Sequence, residues 1–136
     1  MADEKTFHLS ITTPNREFYE NDVIMVELNT TEGEIGVLKN HIPLTSVLAP
    51  GVCYIHEDAD TVKVCAVHSG FVEILQDSMT ILAEVAEWPE EIDVERAKEA
   101  QIRAERRLSE NPAGTNIARA TLALKRSAAR IEASKK

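Results

Sequence analysis

The segment EWPEEIDVERAKEAQIRAERRL, residues 87–108, separates a region with strand patterns from a region with helix patterns. Pro89 ends the apolar run before it, because proline can continue neither a central strand nor a helix interior. Asp93 stands just ahead of a long stretch rich in alanine and charge, where its carboxylate can accept from the free N–H groups of a helix start. Glu95 in the first turn suits the positive end of the helix dipole. The segment therefore predicts a helix from Asp93 to Leu108 that follows a β-rich region.

The charge changes sign at the same place. Residues 1–92 contain 4 Lys and Arg against 17 Asp and Glu, whereas residues 93–136 contain 11 against 6. The net charge of −8 and the pI near 5.0 argue against nucleic acid as a partner of the whole molecule, although the basic end leaves a nucleic-acid-binding hairpin as an alternative. With 43% hydrophobic residues in 136, we expect a packed core.

Membrane and export signals are not predicted. No apolar run approaches the ~20 residues that span a bilayer. The acidic start MADEKTFHL lacks the basic and then apolar layout of a signal peptide. We therefore expect a cytosolic protein unless a partner tethers it to a membrane.

Short apolar runs separated by turn residues fill residues 1–88 and predict an antiparallel β-sandwich or barrel. The nearly continuous apolar run 22–29 predicts a single strand, and Gly70 is expected to break the run that follows Val62. A turn centred on Ala59 would place the only two cysteines, at 53 and 65, directly opposite each other. Two buried thiols are the expected outcome, rather than a redox pair.

Residues 89–136 predict an antiparallel pair of helices, which gives an α+β protein. Residues 110–114 break the first helix at Pro112, and Thr115 or Asn116 caps a second helix that runs to about Ala133. The apolar stripe of the second helix is weak, and its members are Ile117, Ala120, Leu124, Ala128 and Ile131. A seam dominated by alanine buries little area, so the hairpin is a candidate for an element that opens or docks elsewhere.

Four arginines on the hairpin suggest an anion site. Arg96 and Arg103 share a face of the first helix, and Arg126 and Arg130 are one turn apart on the second. Folding about Pro112 is expected to bring all four together, and guanidinium groups fit phosphate bidentately. The alternative is that neighbouring glutamates pair with them on a solvated face, the candidates being Glu95, Glu99 and Glu132.

No catalytic or metal-binding constellation is predicted. The histidines at 8, 41, 56 and 68 are scattered, none four residues from another, and His41 is expected to bond backbone within its loop. Ser69-Gly70 lacks the context of a hydrolase nucleophile, and the glycines match neither a P-loop nor a dinucleotide fingerprint. An enzyme is the least favoured class.

Two stretches carry a family resemblance: TTEGEIGVLKNHIPLTSVLAPG at 30–51 and HSGFVEI at 68–74. With the order of strands and then helices, the chain resembles the epsilon subunit of the bacterial rotary ATP synthase along its whole length. Two departures lie in turns. Lys39-Asn40 stands where the family commonly has Pro-Gly, and Ser69 stands where it commonly has a second Gly.

The resemblance implies a β-sandwich of about ten strands over residues 1–88 and a mobile regulatory hairpin over residues 89–136. The sandwich would bind the gamma subunit and the membrane c-ring as part of the rotor. The extended hairpin would contact the alpha and beta subunits and block ATP hydrolysis. The location implied is peripheral, on the cytoplasmic face of the bacterial plasma membrane, and the subunit itself is non-catalytic.

Some members of the family bind ATP in the folded hairpin through a motif that stands here as IDVERA, residues 92–97. The resemblance assigns adenosine contacts to Glu87 and Asp93, with Ala97 beside them, and phosphate contacts to the arginines. It implies ATP as a regulatory ligand and no obligatory cofactor. The implied site comprises Glu87, Asp93, Arg96, Ala97, Arg103, Arg126 and Arg130. The alternative is a purely mechanical coupling subunit, without a ligand, whose arginines are paired with glutamates.

Overall fold

Alternating apolar residues generate the strands at the beginning of the chain. Phe7, Leu9 and Ile11 are buried while His8 between them is exposed, as a half-buried strand requires. The computed structural model describes residues 5–111 and 113–136, so the predicted break at Pro112 lies outside the described residues. The eight strands are β1 (Phe7–Thr13), β2 (Arg16–Val23), β3 (Met25–Thr30), β4 (Gly33–Val37), β5 (Leu44–Leu48), β6 (Gly51–His56), β7 (Val62–Ile74) and β8 (Ser78–Glu87).

The described strands form one hydrogen-bonded path in the order β2-β1-β8-β7-β5-β3-β4, and β6 pairs with both β3 and β7. All pairings are antiparallel except that of β1 with β8. The first half of β7 pairs with β6 and the second half with β5, so the sheet bends around one apolar core. The predicted class, a β-sandwich followed by two helices, is confirmed, with eight strands in the described residues instead of about ten.

Two strand predictions need correction. The apolar run 22–29 is not a single strand, because β2 ends at Val23 and β3 begins at Met25. Gly70 does not break β7. Its φ is 144°, and a Cβ there would lie 1.8 Å from the backbone oxygen of Leu82. The glycine therefore permits close approach of β8 within a continuous strand. The predicted register of Cys53 opposite Cys65 is confirmed, and both are buried free thiols.

The helices are α1 (Val94–Glu110) and α2 (Ile117–Ser134), preceded by a 3₁₀ turn (Pro89–Glu91). Asp93 caps α1 by accepting from the N–H of Arg96 at 3.1 Å, as predicted, and Asn116 caps α2 by accepting from Arg119 at 3.0 Å. Neither described helix is long and apolar enough to cross a bilayer.

The predicted stripe of α2 is only partly right. Ile117 and Ala128 are exposed, whereas Ala120, Ser127, Ala129 and Ala133 are buried. The reason is that α2 packs both against α1 and against β6 and β7, so two faces are covered by small residues. Ala133, together with Ile92, packs on Val52 and Ala66 of the sandwich. The hairpin is therefore docked in this structure, through a thin apolar seam.

Candidate functional site between the hairpin and the sandwich

The turn that leads into the hairpin is anchored to β2. Trp88 stacks on Phe18 with ring centroids 4.3 Å apart, and its backbone N–H donates to the Glu91 carboxylate at 2.9 Å. Glu91 in turn accepts from the guanidinium of Arg16 at 2.7 Å and 2.9 Å, and this partner lowers the pKa of Glu91. The chain is thus held to the sandwich as far as residue 91, and any movement of the hairpin must pivot beyond it or break this ion pair.

Two arginines of α2 reach the sandwich. Arg126 donates from Nη2 to the hydroxyl of Ser69 at 2.9 Å, and Arg130 donates from Nε to Glu87 at 2.6 Å. The Glu87–Arg130 pair is largely shielded, with side-chain exposures of 25% and 31%. Because the two arginines are one helical turn apart, both lie on the face of α2 that packs on the sandwich, where they contact Ser69 of β7 and Glu87 of β8.

His68 lies beneath these arginines and is only 2% exposed. Neither ring nitrogen has a hydrogen-bond partner in the described structure, and Arg126 Nε is likewise buried without one. Burial and the nearby charges of Arg130 and Arg126 lower the pKa of His68 from 6.5 to about 4. The imidazole is therefore neutral near pH 7, and the site keeps an unsatisfied guanidinium donor.

The predicted site residues are brought together only in part. Glu87 and Arg130 are in direct contact, Arg126 lies on the same helix face, and Asp93 is engaged as the cap of α1. Ala97 is buried. Arg96 and Arg103 are exposed on α1 and, within the described residues, have no side-chain hydrogen bond or ion pair.

The alternative from the sequence is that the hairpin arginines pair with glutamates of the hairpin itself, but the structure shows a different pairing. Arg130 pairs with Glu87 rather than with Glu132. Glu95 lies 3.9 Å from Lys98, an exposed lysine in the next turn. Arg96 and Arg103 are thus left available for a ligand or a partner, whereas Arg126 and Arg130 already contact the sandwich.

His68 and Ser69 were missed by the sequence reasoning. Strand alternation could have indicated His68, because Val64, Ala66 and His68 lie on the same face of β7. In the structure, Val64 and Ala66 on this face pack toward Ile92 and Ala133. A histidine that continues an apolar face is covered by whatever covers that face. The prediction for His41 is confirmed, since its Nδ1 lies 2.6 Å from the backbone oxygen of Ile42. No group of three potential metal ligands occurs in the described residues.

A second candidate surface lies on the outer face of the sandwich. Val47 pairs with Phe71, and Phe71 pairs with Leu82, so three exposed apolar side chains form a row across β5, β7 and β8. Phe71 is 56% exposed. We refer to these three residues as the Phe71 row. Contiguous exposed apolar side chains are typical of interaction surfaces.

The structure is that of a two-part protein, a β-sandwich and a helix hairpin that is docked on it through polar contacts and small apolar residues. The chain belongs to the family described as ATP synthase, Delta/Epsilon chain. The model of its β-sandwich domain matches residues 6–89, and that of its long alpha-helix domain matches residues 90–135.

Curated relatives with the name ATP synthase epsilon chain match nearly the full length. The protein of Caldanaerobacter subterraneus subsp. tengcongensis is 44% identical over 134 residues, which are 98% of this chain and 96% of that protein. The protein of Halalkalibacterium halodurans is 44% identical over 128 residues, 93% of this chain and 96% of that protein. The predicted resemblance is confirmed, and membership of this family supports a non-catalytic subunit rather than an enzyme.

Solved structures show the same fold. A chain of the Euglena gracilis mitochondrial ATP synthase (OSCP/F1/c-ring, rotational state 1) superposes with a TM-score of 0.82 at 23% identity, covering 96% of this chain and 82% of that one. A chain of the Tetrahymena thermophila mitochondrial ATP synthase central stalk and c-ring gives a TM-score of 0.57 at 14% identity, covering 95% and 93%.

Proposed function

We propose that the chain is a central-stalk rotor subunit of a bacterial ATP synthase whose hairpin restrains ATP hydrolysis when it leaves the sandwich and binds ATP when it is docked. The observation that carries the proposal is the polar attachment of α2, through Arg126–Ser69 and Arg130–Glu87, across a seam of small residues. Small apolar contacts stabilise weakly. Because the docked state depends on a few arginines, an anion that binds these arginines can stabilise it.

The residues present fit a phosphate-bearing ligand. Among the residues that the structure describes, Arg126 keeps a buried Nε without a partner, and Arg96 and Arg103 present unpaired guanidinium groups on α1. These arginines would hold the phosphates, with Glu87 and Asp93 on adenosine polar groups. ATP would supply negative charge that links the helices to each other and to the sandwich.

Ligand binding would then set the population of the docked state. A ligand that binds only the docked hairpin favours it by RT ln(1 + [L]/Kd), about 2.7 kcal/mol at a hundredfold excess over Kd. At low ATP the basic arm would be released toward the alpha and beta subunits and would block hydrolysis. The excess of basic residues in 93–136 supports such a contact with acidic surfaces.

Attachment to the rotor requires surfaces on the sandwich. The Phe71 row supports docking to the gamma subunit, and the exposed loop residues Leu38 and Ile42, the latter 79% exposed, support contact with the c-ring. Such contacts would place the subunit on the cytoplasmic face of the plasma membrane without a membrane span of its own.

The alternative is a mechanical coupling subunit that binds no nucleotide. The Glu87–Arg130 pair favours it, because one arginine of the implied site is already neutralised by a carboxylate of this chain. The two functions differ in one property, which is saturable binding of ATP to the isolated subunit.

Calorimetric titration of ATP into the full-length subunit tests the proposal. Arg103→Ala and Arg126→Ala are expected to weaken one-site binding, whereas Arg107→Ala, which removes an exposed arginine of α1 that is not part of the implied site, is expected to leave it unchanged. Absence of binding at millimolar ATP, or an equal loss in all three variants, would favour the mechanical alternative or a nonspecific charge effect.

A further inference from the structure

His68 is buried by the hairpin rather than by the core of the sandwich. Along β7, Cys65 and Val67 belong to the main core, while Val64 and Ala66 belong to the cluster that packs against Ile92 and Ala133. By strand alternation, His68 lies on the latter face, beneath α2. When α2 leaves, this side of β7 loses its cover and the imidazole meets water.

The docked environment accepts only the neutral imidazole. A protonated ring carries two N–H donors, and in the described structure neither ring nitrogen has an acceptor. The groups of α2 that face it are the cations Arg126 and Arg130. On β8, Glu87 is engaged with Arg130, and Ser69 of β7 accepts from Arg126.

The 3₁₀ turn and α1 contribute no compensating charge. Glu91 of the turn is held by Arg16, and Glu90 is exposed. Asp93, ahead of α1, accepts from a backbone N–H as its cap. No carboxylate in the described surroundings is thus free to neutralise a charge on His68.

We propose that His68 makes docking of the hairpin dependent on pH: protonation of this imidazole repels Arg126 and Arg130 and releases α2 from the sandwich. The inference rests on the mobility of the hairpin included in the proposed function, and it adds a regulator other than nucleotide. Acidification of the solution around the subunit would then favour the released arm even when ATP is present.

The sign follows from the pKa of His68, which is lowered to about 4 in the docked state and returns toward 6.5 when the residue is exposed. Because the pKa of His68 is lower in the docked state than in the released state, a rise in pH favours docking. This preference is complete above the ordinary pKa, where the imidazole is neutral in both states. Docking is therefore strongest above about pH 6.5 and weakens as the pH falls toward 4. At pH 5.5 the docking equilibrium is about tenfold less favourable than at pH 7.5.

Hydrogen exchange of the α2 amides in the full-length subunit measures this opening after correction for the intrinsic exchange rate at each pH. We expect about tenfold more opening at pH 5.5 than at pH 7.5 in the unaltered chain and in the control His41→Gln. His68→Gln is expected to remove the difference, and His68→Lys to open α2 at both pH values.

Equal pH dependence in His68→Gln and the unaltered chain would overturn the proposal while leaving a mobile hairpin. If protection of α2 is the same at both pH values and in every variant, both the pH dependence of docking and the mobility of the hairpin are overturned. Titration of ATP at pH 7.5, where His68 is neutral in either state, reports separately on the nucleotide site. If His68→Gln does not fold, titration of the His68 imidazole by NMR in the unaltered chain tests the proposal instead. An apparent pKa well below 6.5 supports the proposal, and one at or above 6.5 overturns it.

Discussion

Arg130 Nε lies 2.6 Å from a carboxylate oxygen of Glu87, which joins the last turns of α2 to the end of β8, 43 residues earlier in the chain. The contact spans the two parts of the molecule at the point where the chain passes from one to the other. Because both side chains are less than a third exposed, solvent screening weakens the pair only in part. The pair is thus a specific attachment of the hairpin as well as a part of the proposed nucleotide site.

A double-mutant cycle on this pair is the first prediction. Glu87→Ala and Arg130→Ala, alone and combined, are expected to show a coupling free energy of about 1 kcal/mol in the opening of α2 measured by hydrogen exchange. The exposed pair of Glu95 and Lys98 provides a matched cycle, for which we expect no measurable coupling. Strictly additive effects at Glu87 and Arg130 would show that the contact does not hold the hairpin.

The helix caps separate a structural role of Asp93 from a role in binding. Asp93→Ala and Asn116→Ala each remove the side chain that accepts from the first turn of a helix, so each is expected to cost about 1 kcal/mol in thermal or urea unfolding. Only Asp93→Ala is expected to weaken ATP binding in calorimetry. A similar loss of affinity in both variants would mean that the ligand senses helix stability alone.

Asn40 and Ser69 are the positions where the resemblance described above leads us to expect glycine, and both have left-handed backbones, with φ of 68° and 64°. Ser69→Gly relieves the backbone but removes the acceptor of Arg126. We expect the free energy of unfolding to rise by about 0.5–1 kcal/mol while protection of α2 falls. Asn40→Gly is the control, since asparagine tolerates this conformation and α2 should not respond. Unchanged α2 protection in Ser69→Gly would remove Ser69 from the docking contact.

Gly70 and Gly33 distinguish a steric clash from backbone strain. Both have positive φ, 144° and 126°, but a Cβ at Gly70 would meet the backbone of β8, whereas no atom of the described residues lies within 4 Å of one at Gly33. Gly33→Ala is expected to cost about 1–3 kcal/mol in urea unfolding, and Gly70→Ala to cost clearly more, because a main-chain oxygen cannot move aside. Equal costs would mean that β8 shifts freely at Leu82.

Local patterns predicted most of the fold, and contacts distant in sequence account for the rest. The cap at Asp93 and the register of Cys53 opposite Cys65 depend on neighbouring residues and a short turn, so they could be inferred. The continuity of β7 through Gly70 depends on where β8 lies. His68 was missed for the same reason. Its burial, and the lack of a hydrogen-bond partner for its ring nitrogens among the described residues, arise only once α2 is docked.

The Phe71 row provides a test of rotor attachment that does not involve the hairpin. Phe71 is outward-facing and 56% exposed, so Phe71→Glu should lower the free energy of unfolding by only about 1 kcal/mol, through its cross-strand neighbours, while it places a charge in the centre of the apolar row. If the row docks to the gamma subunit, co-purification with that subunit should fall at least tenfold, because aromatic anchors dominate such interfaces. Ile117→Glu, at an equally exposed apolar position of α2, is the matched control and should retain binding. If Phe71→Glu retains binding, the attachment to the gamma subunit lies on another face of the sandwich. If both variants lose binding, the cause is the added negative charge on an already acidic protein and not the Phe71 row itself.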